Sequence, residues 1–324
     1  MMQAPARHLP TLRQLRYLSA LYRERHFGRA AARCFVTQST LSAGIQELEG
    51  LLGVTLVDRS RRKLLFTPVG EELVERAERV LRAAEDFVEA AEAAKEPLSV
   101  PVRMGVIPTV APFLLPRVLP KLRRAFPGLK LYLKEDLTAR LVAGLHAGQL
   151  DLLLLALPCE AGEVESVALF EDPFLFACRA DSPLAQGPAV PAEGLAAAPL
   201  LLLEDGHCLR DHALEACHLA PPRQQAFAAT SLHTLVQMVD NGLGVTLLPK
   251  LALDGGILDG TGLVVRPIAG ETPARRIGMI WRRGAGRRRD FRLLADFFRA
   301  AAGEAPPSDA APERLAAPQA LPVR

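Results

Sequence analysis

The sequence predicts an α+β chain in three stretches: an N-terminal winged helix-turn-helix, one long helix, and a larger α/β body of two subdomains. Three observations carry this. Apolar residues recur at helical spacing in three segments before residue 53, with a three-residue connection between the last two. A heptad seam runs through residues 69–94. From residue 102 onward, short apolar runs alternate with helical patterns, which implies βαβ units and a parallel sheet covered on both faces.

The first helix is expected over residues 12–22, with Leu12, Leu15, Leu18 and Tyr22 on its apolar side. Gly28 to Cys34 reads as a second, alanine-rich helix. Phe35-Val36-Thr37 is a tight connection, and Thr37 is placed to cap a third helix starting at Gln38. In that helix Leu41, Ile45, Leu48 and Leu52 recur on one face, and Gly53 ends it. Its first turns carry Gln38, Ser39, Thr40, Ser42 and Ala43, small or hydrogen-bonding residues suited to reading base edges in a major groove. Arg59-Ser60-Arg61-Arg62-Lys63 with Leu64-Leu65-Phe66 reads as a basic hairpin that grips phosphates. Residues 1–68 hold eleven Lys/Arg against four Asp/Glu, a net of +7 on a chain whose total is +3. A basic module on a mildly acidic body points to a polyanion such as double-stranded DNA.

In the long helix Leu73, Ala77, Val80, Ala84, Phe87 and Ala91 step by four and three. That seam is expected to pair with a second chain. A dimer suits DNA sites made of two half-sites. Glu96-Pro97 closes the helix, giving boundaries at 1–68, 69–96 and 97–303. In the body, strands are expected at Val102–Ile107, Leu129–Leu133, Leu150–Ala156, Leu200–Leu203, near Phe227, at Val245–Leu248 and at Ile277–Arg282. Helices are expected at Leu114–Ala125, Thr138–Ala147, from Leu209, at Ser231–Asn241 and at Asp290–Ala301. Residues 304–324 are Ala/Pro-rich and expected to be a disordered tail.

Five cysteines in 324 residues, with no apolar leader at Met1-Met2-Gln3-Ala4-Pro5 and no run of membrane-spanning length, imply a reducing cytoplasm and no membrane. There a disulfide is more often transient than structural. Cys34, Cys159, Cys178, Cys208 and Cys217 are too scattered for a metal site, and no metal or cofactor is expected. Within Glu204-Asp205-Gly206-His207-Cys208-Leu209-Arg210-Asp211, Gly206 makes a turn and Cys208 falls at a helix N-terminus beside His207 and Arg210. All three surroundings favour thiolate, the reactive form. Cys217 follows nine residues later. On a continuous helix the pair lies roughly 14 Å apart on opposite faces, whereas a disulfide needs Cα atoms within about 7 Å. Joining them requires the helix to unwind.

Residues 12–95 resemble the DNA-binding domain and linker helix of LysR-type transcriptional regulators. Residues 98–302 resemble their effector domain, whose fold is like that of periplasmic binding proteins. Within the family the resemblance is to its hydrogen-peroxide sensors, through Gly105-Val106-Ile107-Pro108-Thr109-Val110, the Cys208 motif, Cys217, and Ala229-Thr230-Ser231-Leu232. The resemblance implies that Cys208 is the peroxidatic cysteine and Cys217 the resolving one. It implies that Thr109, Thr138 and His207 hold peroxide, and that Arg210 and Asp211 stabilise the reduced arrangement at that pocket. Thr138 also reads as a helix N-cap and Thr109 as a turn residue. Either Arg275 or Arg276 is placed to reach the site. On DNA, Arg13, Ser42 and Arg59 match contact positions. A dimer of dimers, and RNA polymerase as a partner, follow from the same resemblance. The stretch from His218 to Gln225, with Pro221-Pro222, departs from the family pattern by a shortened loop. Cys34, Cys159 and Cys178 read as inert thiols. Two other functions fit parts of the pattern: a LysR-type regulator with a small-molecule ligand in its cleft, and a thiol peroxidase, which has no need of residues 12–67.

Overall fold

The computed structural model describes residues 8–58, 64–93, 96–191, 194–195, 198–217, 228–270 and 273–303. The chain divides into two compact units, Met1–Ala91 and Glu92–Arg324.

In the first unit, α1 (Leu12–Glu24) starts at a capping box between Thr11 and Gln14. Its core face is Leu15, Leu18 and Leu21, with Tyr17 beside them. Leu12, expected on that face, is exposed, because it precedes the first turn that meets the other helices. α2 (Phe27–Arg33) and α3 (Gln38–Leu52) follow. Thr37 caps α3 as expected, its Oγ1 accepting from the Thr40 amide at 3.2 Å. Gly53 closes it at φ 69°, a left-handed conformation that suits glycine. Leu41, Ile45 and Leu48 are fully buried, while Leu52 at the frayed end is exposed. β1 (Val57–Asp58) and β2 (Leu65–Phe66) pair antiparallel as the base of the wing. The basic tip, residues 59–63, lies outside the described residues. Glu49 steadies the wing by accepting from the Leu56 and Val57 amides at 2.8 and 3.1 Å.

The long helix α4 (Pro68–Ala93) has two different halves. Val74 and Ala77 are buried in the helix-turn-helix core, and Glu78 accepts from Ser19 and Arg23, each at 2.9 Å. Further along, Val80, Phe87 and Val88 are exposed, Phe87 by 77%.

The second unit contains β3 (Val102–Val106), α5 (Ala111–Ala125), β4 (Leu131–Glu135), α6 (Thr138–His146) and β5 (Leu152–Leu157). β3 is parallel to both β4 and β5. Next comes β6 (Val164–Arg179), a 16-residue strand missing from the sequence reading. Glu171-Asp172-Pro173 interrupts its apolar pattern in the middle, so neither half looked like a strand of that length. α7 (Cys208–Ala216), α8 (Leu232–Asp240), β7 (Thr246–Pro249), α9 (Lys250–Asp254), β8 (Leu263–Arg266), β9 (Ala274–Arg282) and α10 (Arg288–Ala302) complete it.

The sheet runs β4-β3-β5-β9-β6-β7, with β8 also on β6. It is mixed rather than all parallel, because β9 returns antiparallel to β5 and β6 antiparallel to β9. The first half of β6 pairs with β9 and the second half with β7 and β8, so one strand serves both subdomains. Edge strand β4 is not covered on both faces: Tyr132 and Leu133 are exposed. Leu200–Leu203 makes two isolated parallel bridges, to Val245 and Ala229, instead of a regular strand. The strand expected near Phe227 and the tail from residue 304 fall outside the described residues.

The Thr37 cap gives a local test. Thr37→Ala should cost about 1 kcal/mol, lowering the melting midpoint of the N-terminal unit by roughly 4–8 °C. A Thr37→Asp cap should restore it, and calorimetry of the two variants checks this.

Candidate functional site

Gly206, at φ 96°, turns the chain into α7. His207 takes the N-cap position in extended backbone but makes no side-chain cap, and Cys208 is the first helical residue. The Cys208 side chain lines a small cleft with Ile107, Pro108, Thr109, Leu137, Thr138, Gly206 and His207. The cleft volume is about 10 Å³, close to the roughly 10–15 Å³ that one water needs. A metabolite does not fit there; a molecule of one or two heavy atoms is the right scale.

Thr109 is buried and does more than close a turn. Its Oγ1 accepts from Arg275 at 2.8 Å and its carbonyl from the same guanidinium at 3.0 Å. Arg275 also meets Asp172 at 2.9 Å, with both side chains fully buried. Asp172 and Arg275 face each other in the β6–β9 register. Burial pushes the Asp172 carboxyl up, and Arg275 and the Leu251 amide oppose that. Of the two arginines left open by the sequence, Arg275 is therefore the one behind the cleft. Arg276 lies half-exposed and pairs with Glu171 at 2.8 Å. Thr138 is the first residue of α6 rather than its cap, which is Leu137. Its Oγ1 is buried with no hydrogen-bond partner among the described residues.

Two expected pocket residues are not in the cleft. Arg210 pairs with Asp205 at 2.5 Å, because the Gly206 turn folds that carboxylate back over the helix start. Asp211 sits in the first turn of α7 but is exposed. His207 is buried. Burial pushes its ring below the ordinary histidine range, against the pull of Glu204 and of a hydrogen bond to the Thr230 backbone. It is thus neutral and adds no positive charge beside Cys208. The helix N-terminus remains the unpaired source of positive potential there.

α7 is continuous from Cys208 to Ala216, and Cys217 is its C-cap, donating to the Ala213 carbonyl at 3.1 Å. The two thiols are free and sit at opposite ends of the helix. Burial pushes the Cys217 thiol up to about 11. Burial likewise raises the thiols of Cys34 and Cys178. Cys159 differs: burial raises it first, and the charge of Cys208 raises it further, so the two lie within electrostatic reach. Sequence reasoning read Cys159 as an inert thiol and did not place Asp172 or His212 near the cleft. The one available signal was the pair of acids, Glu171 and Asp172, between apolar Phe170 and Phe174, since buried charges demand partners.

In the first unit, Arg13, Gln38, Ser39 and Thr40 are exposed, and Ser42 is half-buried. Thr37 Oγ1 also meets Ser39 Oγ at 2.9 Å and Thr40 Oγ1 at 2.8 Å, fixing the start of α3. Arg59, Arg61 and Arg62 lie outside the described residues. Among the described residues, no cluster of three His, Cys, Asp or Glu could hold a metal, and no helix is long and apolar enough to cross a membrane.

The family model of the LysR substrate binding domain matches residues 95–303, and that of the bacterial regulatory helix-turn-helix protein, lysR family, matches residues 12–71. The DNA-binding transcriptional dual regulator OxyR of Escherichia coli strain K12 is 44% identical over 290 residues, 89% of this chain and 95% of that protein. A full-length OxyR cysteine variant from Pseudomonas aeruginosa superposes with a TM-score of 0.74 at 39% identity, covering 94% of this chain and all of that one. A peroxide-bound OxyR cysteine variant from Corynebacterium glutamicum gives 0.63 at 35% identity, covering 91% of this chain and 93% of that one.

A buried and a half-buried histidine, His207 and His212, both pushed down by burial, make α7 sensitive to acid. Burial also pushes His212 down, reinforced by Arg275 and opposed by the Pro158 hydrogen bond, Glu215 and Asp211. Below about pH 6.5 the unfolded chain takes up protons that the folded site refuses, so stability falls as pH falls. Amide protection across residues 207–217 should drop between about pH 7 and about pH 5, with a shallower slope in His207→Gln. An equal slope in that variant would assign the effect to other groups.

Proposed function

The chain belongs to the LysR family of DNA-binding transcriptional regulators, and from that premise we propose that it senses hydrogen peroxide through Cys208 and switches by a reversible Cys208–Cys217 disulfide. The observation that carries this reading is the cleft at Cys208: a thiol at a helix N-terminus, two threonine hydroxyls, and room for a molecule no larger than peroxide. Hydroxyls both donate and accept, so Thr109 and Thr138 orient the peroxide for in-line attack. Thr109, already accepting from Arg275, keeps its own proton to donate. The Cys208 thiolate takes one oxygen, the O–O bond breaks, and hydroxide leaves as the sulfenic acid forms. Cys217 then condenses with it and water is released.

The helix stands between the two thiols. Cys208 and Cys217 at the ends of α7 are separated by roughly 14 Å along the axis, and Cys217 is held protonated by burial. Condensation therefore follows unwinding of α7. That refolding is the signal. The domain boundaries 1–68, 69–96 and 97–303 correspond to DNA reading, pairing and sensing, with the protein acting in the cytoplasm. Gln38, Ser39, Thr40 and Ser42 read bases while Arg13, Arg59, Arg61 and Arg62 hold phosphates. Oxidation changes how two dimers are arranged, hence which half-sites are engaged and how RNA polymerase is contacted. The bare distal half of the α4 seam and the exposed β4 edge support assembly into a dimer of dimers. The size of the cleft weighs against a metabolite as the effector at Cys208.

Assembly is tested by Val80→Asp with Phe87→Asp, which should yield a smaller species in sedimentation and weak binding to a two-half-site operator. An unchanged mass would exclude the seam as the interface. The switch is tested on the DNA footprint. Cys208→Ser should keep the reduced footprint under peroxide. Cys217→Ser should form sulfenic acid at Cys208 but no Cys208–Cys217 bond, and oxidised parent protein should lose amide protection over residues 208–217. Retained protection in a Cys208–Cys217-linked protein contradicts the mechanism.

A further inference from the structure

The sensing chemistry leaves Cys159 unused, yet the fold brings it to the edge of the sheet where the Cys208 cleft opens. β3 and β5 are parallel neighbours, so the chain leaves both at the same edge of the sheet. The segment after β3, from Ile107 to Thr109, forms one wall of the cleft that Cys208 lines. The segment after β5 is Pro158-Cys159, and it emerges at that same edge. His212, four residues after Cys208 and so on the same face of α7, lies within electrostatic reach of the Pro158 backbone. Cys159 and Cys208 are both half-buried against the effector core. The coupling between their charges fits that proximity.

We propose that Cys159 is a second resolving thiol, which condenses with Cys208 sulfenic acid at the still-wound N-terminal end of α7 and so competes with Cys217. This rests on the peroxide-sensing reading, which supplies the oxidant. The Cys159 sulfur attacks the Cys208 sulfur, the S–O bond breaks, the S–S bond forms, and the Cys159 proton leaves with the hydroxyl as water. Two thiols and one hydrogen peroxide give one disulfide and two waters. The outcomes of the two routes differ. Bonding to Cys217 needs the helix to open, whereas bonding to Cys159 draws in the segment after β5 and leaves α7 wound. A Cys159–Cys208 bond thus stores an oxidised sulfur without sending the signal, and it shields Cys208 from over-oxidation while the helix is closed.

The experiment uses full-length protein: parent, Cys217→Ser, Cys159→Ser and the double variant. Each receives a brief hydrogen peroxide pulse and is then alkylated and mapped under non-reducing conditions, with a parallel sample treated with a dimedone-type sulfenic acid probe. Cys217→Ser should give a Cys159–Cys208-linked peptide pair and keep amide protection over residues 208–217. The double variant should lose all intramolecular linkage at Cys208 and show trapped sulfenic acid. Cys159→Ser should accumulate the Cys208–Cys217 bond faster than the parent. Sulfenic acid trapped at Cys208 in Cys217→Ser with no Cys159 linkage would overturn this inference and leave the sensing reading intact. Cys208 that stays reduced in the parent would overturn both.

Discussion

The ion pair of Asp172 with Arg275 occupies the point where β6 and β9 pass from one subdomain to the other, and the cleft at Cys208 is built on it. The two residues are opposed in register and fully buried. Removing one partner of such a pair strands a charge at a cost of about 3–5 kcal/mol. The remaining valences are used as well: Asp172 accepts from the Leu251 amide at 2.8 Å, and Arg275 holds Thr109 by both its hydroxyl and its carbonyl. One charge pair thus fixes the β6–β9 crossing, the start of α9 and the loop after β3. The orientation of the Thr109 hydroxyl is a by-product of a stability device.

The opposite wall of the cleft is built differently. α7 is nine residues long and has no side-chain cap at His207. Helices this short are marginal in isolation, so it is held by burial of Leu209 and Ala213 on the effector core. The same packing encloses Cys217 and raises its thiol. A wall held by a buried charge pair therefore faces a short helix held by packing, and the Cys208 side chain is at their junction. In the proposed switch, burial keeps the Cys217 thiol protonated until α7 opens, which couples chemistry to conformational change.

The N-terminal unit shows a similar division of one element between two tasks. The first turns of α4 complete the helix-turn-helix core through Val74, Ala77 and the Glu78 contacts with Ser19 and Arg23. Beyond them the seam continues with Val80 and Phe87 exposed. A helix of 26 residues outreaches the three short helices it packs on, and its apolar stripe outlasts its intramolecular partners.

Much of this was legible in the sequence because the signals are local. Thr37 before an apolar-periodic run and Gly53 after it bound α3 to the residue, and the 3.5-residue seam announced α4. Cys208 at a helix start and Cys217 nine residues on already implied two thiols too far apart to bond without unwinding, since helix rise is a property of the backbone alone. The long strand β6 stayed hidden, because Asp172-Pro173 breaks its pattern locally and is tolerated only where Arg275, 103 residues away, neutralises the acid. The choice between Arg275 and Arg276 was equally beyond reach: on a strand, neighbours point to opposite faces, and only the register of β9 against β6 decides which faces inward. Cys159 followed the same rule. In sequence it is 49 residues from Cys208 and carries no motif. The parallel pairing of β3 with β5 puts it at the same edge of the sheet as the cleft that Cys208 lines. The sequence by itself determined most of the elements and the separation of Cys208 from Cys217 along α7; the tertiary structure decided which distant charges surround the cleft, because strand pairing is a non-local interaction that no local pattern encodes.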